Sequence, residues 1–553
     1  MFAFAIWDED EKLLHLGRDR FGVKPLYYSL RDHTLAFASE LKALNVAGYT
    51  DRSTSPVALA EFVQRGYISA PRSIFADVRV VAPGTVCTFN TSLEPRVHVF
   101  WNAGELFDSA SASDLRLELK HAPENVLLDR VEASLAEAFS YRLVSDVPVG
   151  IFLSGGIDSS LVAAVLSRRS GSVLRTFTIG FGDSEFDETP FARSVAQILG
   201  SKHVEFTVSA KAALDATLEI PEVADEPIGD SSLVPTLLVS RLARQHVKVA
   251  LSADGADELF GGYARYAYCA RFLSASGLVK GLYRLSANTL DAMPPALIAR
   301  AYEFTRTGGG RFAAINDKLK KFVRMARARD DFDAYCATAS ERGPEETARL
   351  LRDQSHRPND DRVAFNNTRG VGVIDRMMHY DLVRYLPGDL LAKVDRASMF
   401  VSLEAREPFL DHKMSQLAAA LPSEWKIRGS QNKYVLRKLL SRYFPAELFD
   451  RPKQGFTAPV GRWLRGPLRH LLLDELSPQR IADQGLLDPA TASEAVAEFL
   501  EGRSTASSPA GVWFLLQLQQ WAGRWLENPA RGSQLDGRVA GATHPHHRGL
   551  AAL

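Results

Sequence analysis

The chain has 553 residues, 46% of them apolar, and its 66 basic and 66 acidic side chains cancel. That balance argues against bulk electrostatic binding to nucleic acid or to an acidic membrane. No apolar run approaches the ~20 residues needed to cross a bilayer, and the opening MFAFAIWDEDEK turns acidic without a basic segment, unlike a secretory signal. Cys87, Cys269 and Cys336 are too widely spaced for a disulfide framework or a zinc site and read as buried, inert thiols. The expected compartment is the cytoplasm.

Residues 1–100 read as β-rich. Met1–Asp8 is apolar, Leu13–Leu16 and Leu35–Ala38 are short strand candidates, and Val78–Phe89 alternates around a Pro83–Gly84 turn. Residues 101–125 are polar and predict a linker. From 126 the pattern becomes α/β. A helix over Val126–Val144 precedes an apolar strand, Val147–Leu153. Strands at 173–181, 203–208 and Val247–Ser252 alternate with helical stretches such as Pro190–Leu199. This order predicts a doubly wound parallel sheet. Residues 265–525 read as mostly helical, and a tail over 526–553, rich in Gly, Pro, His and Arg, as disordered. The basic run at 318–329 reads as a solvated helix face, and His544, His546 and His547 as part of the tail.

The most informative string is SGGIDSS, Ser154–Ser160, directly behind a buried strand and ahead of an amphipathic stretch. Glycines there let the backbone approach an anion, and the first helical N–H groups add the positive end of the helix dipole. The string lacks the lysine of a Walker loop. It resembles the pyrophosphate loop of N-type ATP pyrophosphatases. That resemblance implies an enzyme that cleaves ATP between the α and β phosphates. In open α/β sheets ligands bind at strand carboxyl ends. Two further strand ends qualify: Ile179–Gly180–Phe181, apolar enough for an adenine ring, and the loop Ser252 to Glu258, with three carboxylates. Acidic groups beside a phosphate cradle suit Mg²⁺, which makes Asp158 and Asp257 the metal candidates. Helix capping by Asp254 or Asp257 is the alternative.

Taken together the motifs resemble the asparagine synthetase B family. They are GRDRFGVKPLYY (17–28), FASELKAL (37–44), SGGIDSS, TFTIGF (176–181), DEPIGDSS (225–232), LSADGADELFGGY (251–263), LLAKVDRASM (390–399), LEAREPFLDH (403–412) and RPKQGFTAPVGRWLR (451–465). The resemblance implies an α/β domain of the adenine-nucleotide α-hydrolase type over 126–525, preceded over 1–100 by part of an Ntn-type glutamine amidotransferase domain. It implies ATP on Leu153, Ile179, Ser252 and Ala253, and its pyrophosphate end on Ser154, Gly155, Gly156, Asp158, Ser159 and Ser160. Mg²⁺ would sit on Asp158 and Asp257. Asp254 would take a proton from the attacking amine, and Lys453 would stabilise charge at the α-phosphate. Lys433 and Asp395 match family positions with general phosphate or substrate contacts.

The implied reaction converts aspartate, ATP and ammonia to asparagine, AMP and pyrophosphate through an acyl-adenylate. A sugar or other carboxylate in polysaccharide biosynthesis, or a non-catalytic relative, are the alternatives. A homodimer is expected, with no nucleic-acid or membrane partner. The family begins with a nucleophilic cysteine, whereas residue 2 is Phe2. The expected reading is that the front of the glutaminase domain is missing through a misassigned start or a fragment, so that glutaminase activity is not expected. An ammonia-using protein is the other reading. Ala253 and Asp254 depart from the family's common Gly and Glu.

Overall fold

The computed structural model describes residues 1–108, 110–169, 171, 173–181, 187–292, 312–352, 360–366, 368, 371–449, 458–502 and 508–527. Its first hundred residues contain seven strands: β1 (Ala3–Asp8), β2 (Leu13–Arg18), β3 (Tyr27–Arg31), β4 (Thr34–Ala38), β5 (Val78–Val80), β6 (Thr85–Phe89) and β7 (Pro95–Val99). They form two antiparallel sheets, ordered β1-β2-β6-β7 and β4-β3-β5. The Pro83–Gly84 turn is therefore not a hairpin. It carries the chain from one sheet to the other. Gly84 has φ +69°, and a side chain there would meet the Trp101 carbonyl oxygen. A small core of Leu16, Leu26, Val81, Cys87 and Phe89 draws on both sheets and their connections.

Two helices interrupt the β-rich region, α1 (Leu41–Val46) and α2 (Pro56–Arg65). The second has an ordinary start. Ser55 accepts from the Ala58 N–H and Pro56 takes the first helical position. The stretch predicted as a linker is also helical, with α3 (Glu105–Asp108) and α4 (Ala110–His121). Leu106, Phe107 and Leu119 are buried there. A few apolar anchors suffice to dock a polar segment as helix, which composition alone does not reveal.

Beyond α5 (Glu124–Leu143) lie the strands β8 (Val149–Phe152), β9 (Arg175–Gly180), β10 (Lys202–Thr207), β11 (Val249–Leu251) and β12 (Glu404–Arg406). They form one sheet of order β10-β9-β8-β11-β12, parallel at every pairing. Side chains alternate between its faces. Ile151, Leu153 and Leu251 join one core with α5, α6 (Ile157–Ser167) and α7 (Thr189–Leu199). Phe177, Ile179 and Ala250 join the other with α8 (Ala210–Val223) and α9 (Leu233–Arg244). Helices thus cover both faces, as the alternating pattern predicted. The fifth strand was not predicted. The strand order reverses between β8 and β11, and that junction is where such sheets take ligands.

The N-terminal sheets meet the rest of the chain through partly buried polar pairs. Lys24 Nζ lies 2.9 Å from Asp395 Oδ1, and the Tyr27 hydroxyl donates to Glu226 Oε2 at 2.9 Å. The basic run at 318–329 is not a simple solvated face. It falls mostly on the helix Phe312–Ala326, where Met325 is buried and Arg324 donates to the Ser340 and Glu341 carbonyls. Cys87 and Cys269 are buried, Cys336 is half-buried, and none is in a disulfide. Burial pushes the Cys269 and Cys336 thiols up to about 12, which keeps them protonated. No helix among the described residues is long and apolar enough to cross a membrane. Lys453, the tail histidines and nearly all of the predicted tail lie outside the described residues.

Candidate active site

The loops leaving β8 and β11 open into one cavity of about 560 Å³, a volume typical of small-molecule sites. On the β8 side the chain turns at Gly155, φ +69°. A Cβ there would lie 2.5 Å from Ala192 N and 2.7 Å from Phe191 C, backbone atoms that cannot step aside. Only glycine fits. The loop is braced internally: the Ser154 N–H donates to Ser159 Oγ (3.1 Å) and the Gly156 N–H to Ser154 Oγ (3.2 Å). No side chain caps α6 at Gly156. Gly156, Ile157, Asp158 and Ser159 line the cavity, so the positive end of that helix dipole borders it. Ile179 of β9 adds a buried apolar wall.

On the β11 side the Ser252 N–H continues the sheet by donating to the Arg406 carbonyl at 2.9 Å. The Ser252 hydroxyl donates to Asp254. The next helix, α10 (Ala256–Phe260), is entered through Gly255 at φ +92° with no side-chain cap at that position. Asp254 is therefore not its cap. A Cβ on Gly255 would strike Leu410, 2.4 Å away.

Lys433 joins the two loops. Its Nζ lies 2.5 Å from Asp158 Oδ2 and 2.7 Å from Asp257 Oδ1. Burial alone would lower the ammonium's pKa, but the two carboxylates hold it above its ordinary value. The backbone of Lys433 is left-handed, φ +55°, which costs a non-glycine residue about 1–2 kcal/mol. Its neighbour Asn432 donates through Nδ2 to the Gly262 carbonyl at 3.1 Å. Gly262 makes room for the arrangement. A Cβ there would lie 1.8 Å from Asp257 Oδ1 and 2.1 Å from Lys433 Cε.

A second lysine lines the same cavity. Lys393 donates to Asp230 Oδ2 and Ser232 Oγ, both at 2.8 Å. One of its three ammonium hydrogens is uncommitted among the described residues. Burial opposes its charge, but Asp230, then Asp254 and Asp389, raise its pKa overall. In the same cavity, burial and the Asp257 charge push Glu258 up to about 8, and the Tyr263 hydroxyl donates to its Oε1 at 2.5 Å. Among the described residues no group of three or more His, Cys, Asp or Glu is arranged to hold a metal unaided. Two carboxylates bridged by a cation, as at Asp158 and Asp257, do fit Mg²⁺. That ion takes one or two carboxylates and completes its shell with phosphate oxygens and water.

The cavity thus brings together Leu153, Ser154, Gly155, Gly156, Asp158, Ser159, Ile179, Ser252, Ala253, Asp254, Asp257 and Lys433. It does not include Ser160, which faces inward from the first turn of α6 and is fully buried. Asp395 is also elsewhere. It accepts from Lys24 and lines a separate cavity of about 40 Å³ against the N-terminal region.

The profile described as asparagine synthase matches residues 130–523, which contains both loops, Lys393 and Lys433. The chain belongs to the asparagine synthase family. A second profile, described as a glutamine amidotransferase domain, matches residues 1–101. Asparagine synthetase (glutamine-hydrolyzing) 1 of Bacillus subtilis is 28% identical over 531 residues, covering 94% of this chain and 77% of that protein. A Mycobacterium tuberculosis relative, named for the same synthetase, is 32% identical over 482 residues, 84% of this chain and 68% of its own. The amidase chry2 of Gibberella zeae is 24% identical over 518 residues, 88% and 74% respectively.

Sequence reasoning within this family missed Lys393, Asp230, Tyr263 and Tyr385 as cavity residues, and placed Glu258 in the acidic loop without a role of its own. Asp230 and Lys393 do lie in segments already singled out, DEPIGDSS and LLAKVDRASM. The available signal was a lysine within an otherwise buried helical stretch. Its partner lies 163 positions away, so the pairing itself left no local trace.

Proposed function

We propose that the chain is an ATP-dependent amide-forming ligase that converts a carboxylate, aspartate in the first instance, to its amide with ammonia. The observation that carries this reading is the meeting of the Ser154–Ser159 loop and the Ser252–Glu258 loop around Lys433 in one cavity. Leu153, Ile179, Ser252 and Ala253 would seat the nucleoside. The amides of Gly155, Gly156 and the first turn of α6 would face the leaving pyrophosphate. Mg²⁺, held by Asp158 and Asp257 when bound, supplies charge neutralisation at the phosphates.

The acceptor carboxylate oxygen attacks the α-phosphorus, and the bond from that phosphorus to pyrophosphate breaks. Ammonia then attacks the acyl carbon, and AMP leaves with the acyl–oxygen electron pair. The uncommitted hydrogen of Lys393 suits a carboxylate group of the acceptor. Asp254 would take the proton lost by the attacking amine. Lys453 is assigned to charge developing at the α-phosphate on family resemblance alone. The test is pyrophosphate release from ATP, Mg²⁺ and ammonium chloride, with and without aspartate, beside a Lys453→Ala control. Aspartate-dependent release that the control abolishes supports the reading. No release with aspartate, from folded protein that binds ATP, moves the acceptor to another carboxylate or the chain to a non-catalytic role.

A further inference from the structure

Glu407 follows the last residue of β12 and is only 2% exposed. The backbone holds it beside the reaction cavity. The Ser252 N–H donates to the Arg406 carbonyl at 2.9 Å, and the Ser252 hydroxyl donates to Asp254. Ser252 therefore links the Asp254 side chain to the peptide that joins Arg406 to Glu407. The charges that act on Glu407 are Lys24, which favours its ionised form, and Asp254, Asp395 and Asp19, which oppose it. The Met1 amino group also lies within reach of its charge. Two of these acids are engaged. Asp395 holds Lys24 at 2.9 Å through Oδ1, and its Oδ2 lies 3.6 Å from Arg396. Asp19 accepts from the N–H groups of Phe2, Phe21, Val23 and Lys24. Glu407 Oε2, by contrast, is buried with no hydrogen-bond partner. A buried carboxyl oxygen without a donor bears the full cost of its lost hydration. Burial first, then Asp254 and the other acids, push this carboxyl up to about 8 against the pull of Lys24. The nucleophile of the reaction is ammonia, which near neutral pH is almost all ammonium and has no lone pair to attack with. An ordinary carboxylate is too weak a base to take its proton, whereas a raised one is better matched. The orphaned oxygen is also the acceptor that an ammonium N–H requires.

We infer that Glu407 binds ammonium through Oε2 and takes its first proton, so that neutral ammonia meets the activated acyl carbon beside Asp254. This rests on the amide-forming reading given above and deepens it at the nucleophile. The protons balance. Ammonium gives one to the Glu407 carboxylate and becomes ammonia. The nitrogen lone pair forms the bond to the acyl carbon, and AMP leaves with the acyl–oxygen electron pair. The bonded nitrogen still carries one proton too many, and that proton passes to Asp254. Both carboxyl groups then return their protons to water.

The test compares ammonium chloride with hydroxylamine as the nucleophile, using the full chain with ATP, Mg²⁺ and aspartate, in the wild type and in Glu407→Gln. Hydroxylamine is already neutral near neutral pH and needs no such base. Amide and hydroxamate are measured there and again above the pKa of ammonium. A positioned base is worth about 100-fold or more, so Glu407→Gln should lose about 100-fold in kcat/KM for ammonium near neutral pH and less than about threefold for hydroxylamine. The deficit should shrink above the pKa of ammonium. Equal losses with both nucleophiles at every pH would mark a structural role and overturn the inference, as would a variant that matches the wild type with ammonium. If Glu407→Gln loses the cooperative melting of the wild type, the wild-type pH profile decides. Its kcat/KM for total ammonium should level off as pH passes about 8, where Glu407 becomes ionised. A profile that keeps climbing to the pKa of ammonium follows free ammonia, and the inference falls. If neither nucleophile gives product with the wild type, the amide-forming reading with aspartate falls and takes the inference with it. If both give product and the ammonium profile follows free ammonia, only the inference falls.

Discussion

Lys433 and Lys393 line one cavity and are both buried, yet their directly bonded partners differ by one carboxylate. Lys433 sits between Asp158 and Asp257. Lys393 is bonded to Asp230 and to the neutral hydroxyl of Ser232. A third acid near Lys393, Asp389, is held well above the usual carboxylate range by burial first and by Asp230 second, which favours its neutral form. The two ammonium groups therefore differ in what binds them: Lys433 is divided between two carboxylates, and Lys393 between a carboxylate and a hydroxyl, with one hydrogen uncommitted among the described residues. The second arrangement leaves a donor that an anionic group can take. Residue type is the same in both places, and the bonded partners differ.

Four changes would break or sharpen that contrast. The largest effect is expected from Lys433→Ala. Loss of a preorganised contact to the phosphates should cut ATP-dependent pyrophosphate release by about 100-fold or more, measured at saturating acceptor. Lys393→Met comes next. A charge-assisted hydrogen bond is worth about 1.5–3 kcal/mol, so KM for the carboxylate acceptor should rise roughly 10–100-fold while affinity for the ATP analogue changes less than about twofold. An equal loss at both ends would mean that the two lysines do not divide the cavity.

Gly262→Ala should follow, through stability rather than through a lost ligand. The new methyl group displaces Asp257 or Lys433, at the about 1–3 kcal/mol typical of overpacking. Urea denaturation reads this directly, and analogue binding should weaken alongside. The last change concerns Glu258. Folding raises its carboxyl to about 8 from an ordinary 4.5, through burial and then Asp257. Between those values the folded chain keeps a proton that the unfolded chain gives up. This contribution to stability is complete below the lower value and is lost as pH rises through the upper one. Glu258→Gln, neutral throughout, should flatten the dependence of unfolding free energy on pH between about 5 and 8. A variant whose slope matches the wild type would show that Glu258 is ionised in the fold.

Much of the sheet could be read in advance because β8 and β9 are apolar runs that end in distinctive loops. Strand β12 could not. Its three residues are Glu404, Ala405 and Arg406, with no apolar run, and only the edge of β11 makes them a strand. The site divides in the same way. Asp158 and Asp257 were visible because each closely follows an apolar strand. The role of Lys433 depends on an aspartate 275 positions away and on a glycine whose value lies in what it lacks. Ser160 and Asp395 fit the motif strings but not the cavity, since a motif gives the order of residues and not the direction in which each one faces.

The distance along the chain from Asp257 to Lys433 also has a consequence during synthesis. Both aspartates, and the β11 strand whose outer edge awaits β12, leave the ribosome well before residues 404–433 exist. At about 5–20 residues per second the delay is of the order of 10–35 s. Throughout that interval the nascent chain presents two carboxylates without their lysine and a strand edge without its neighbour.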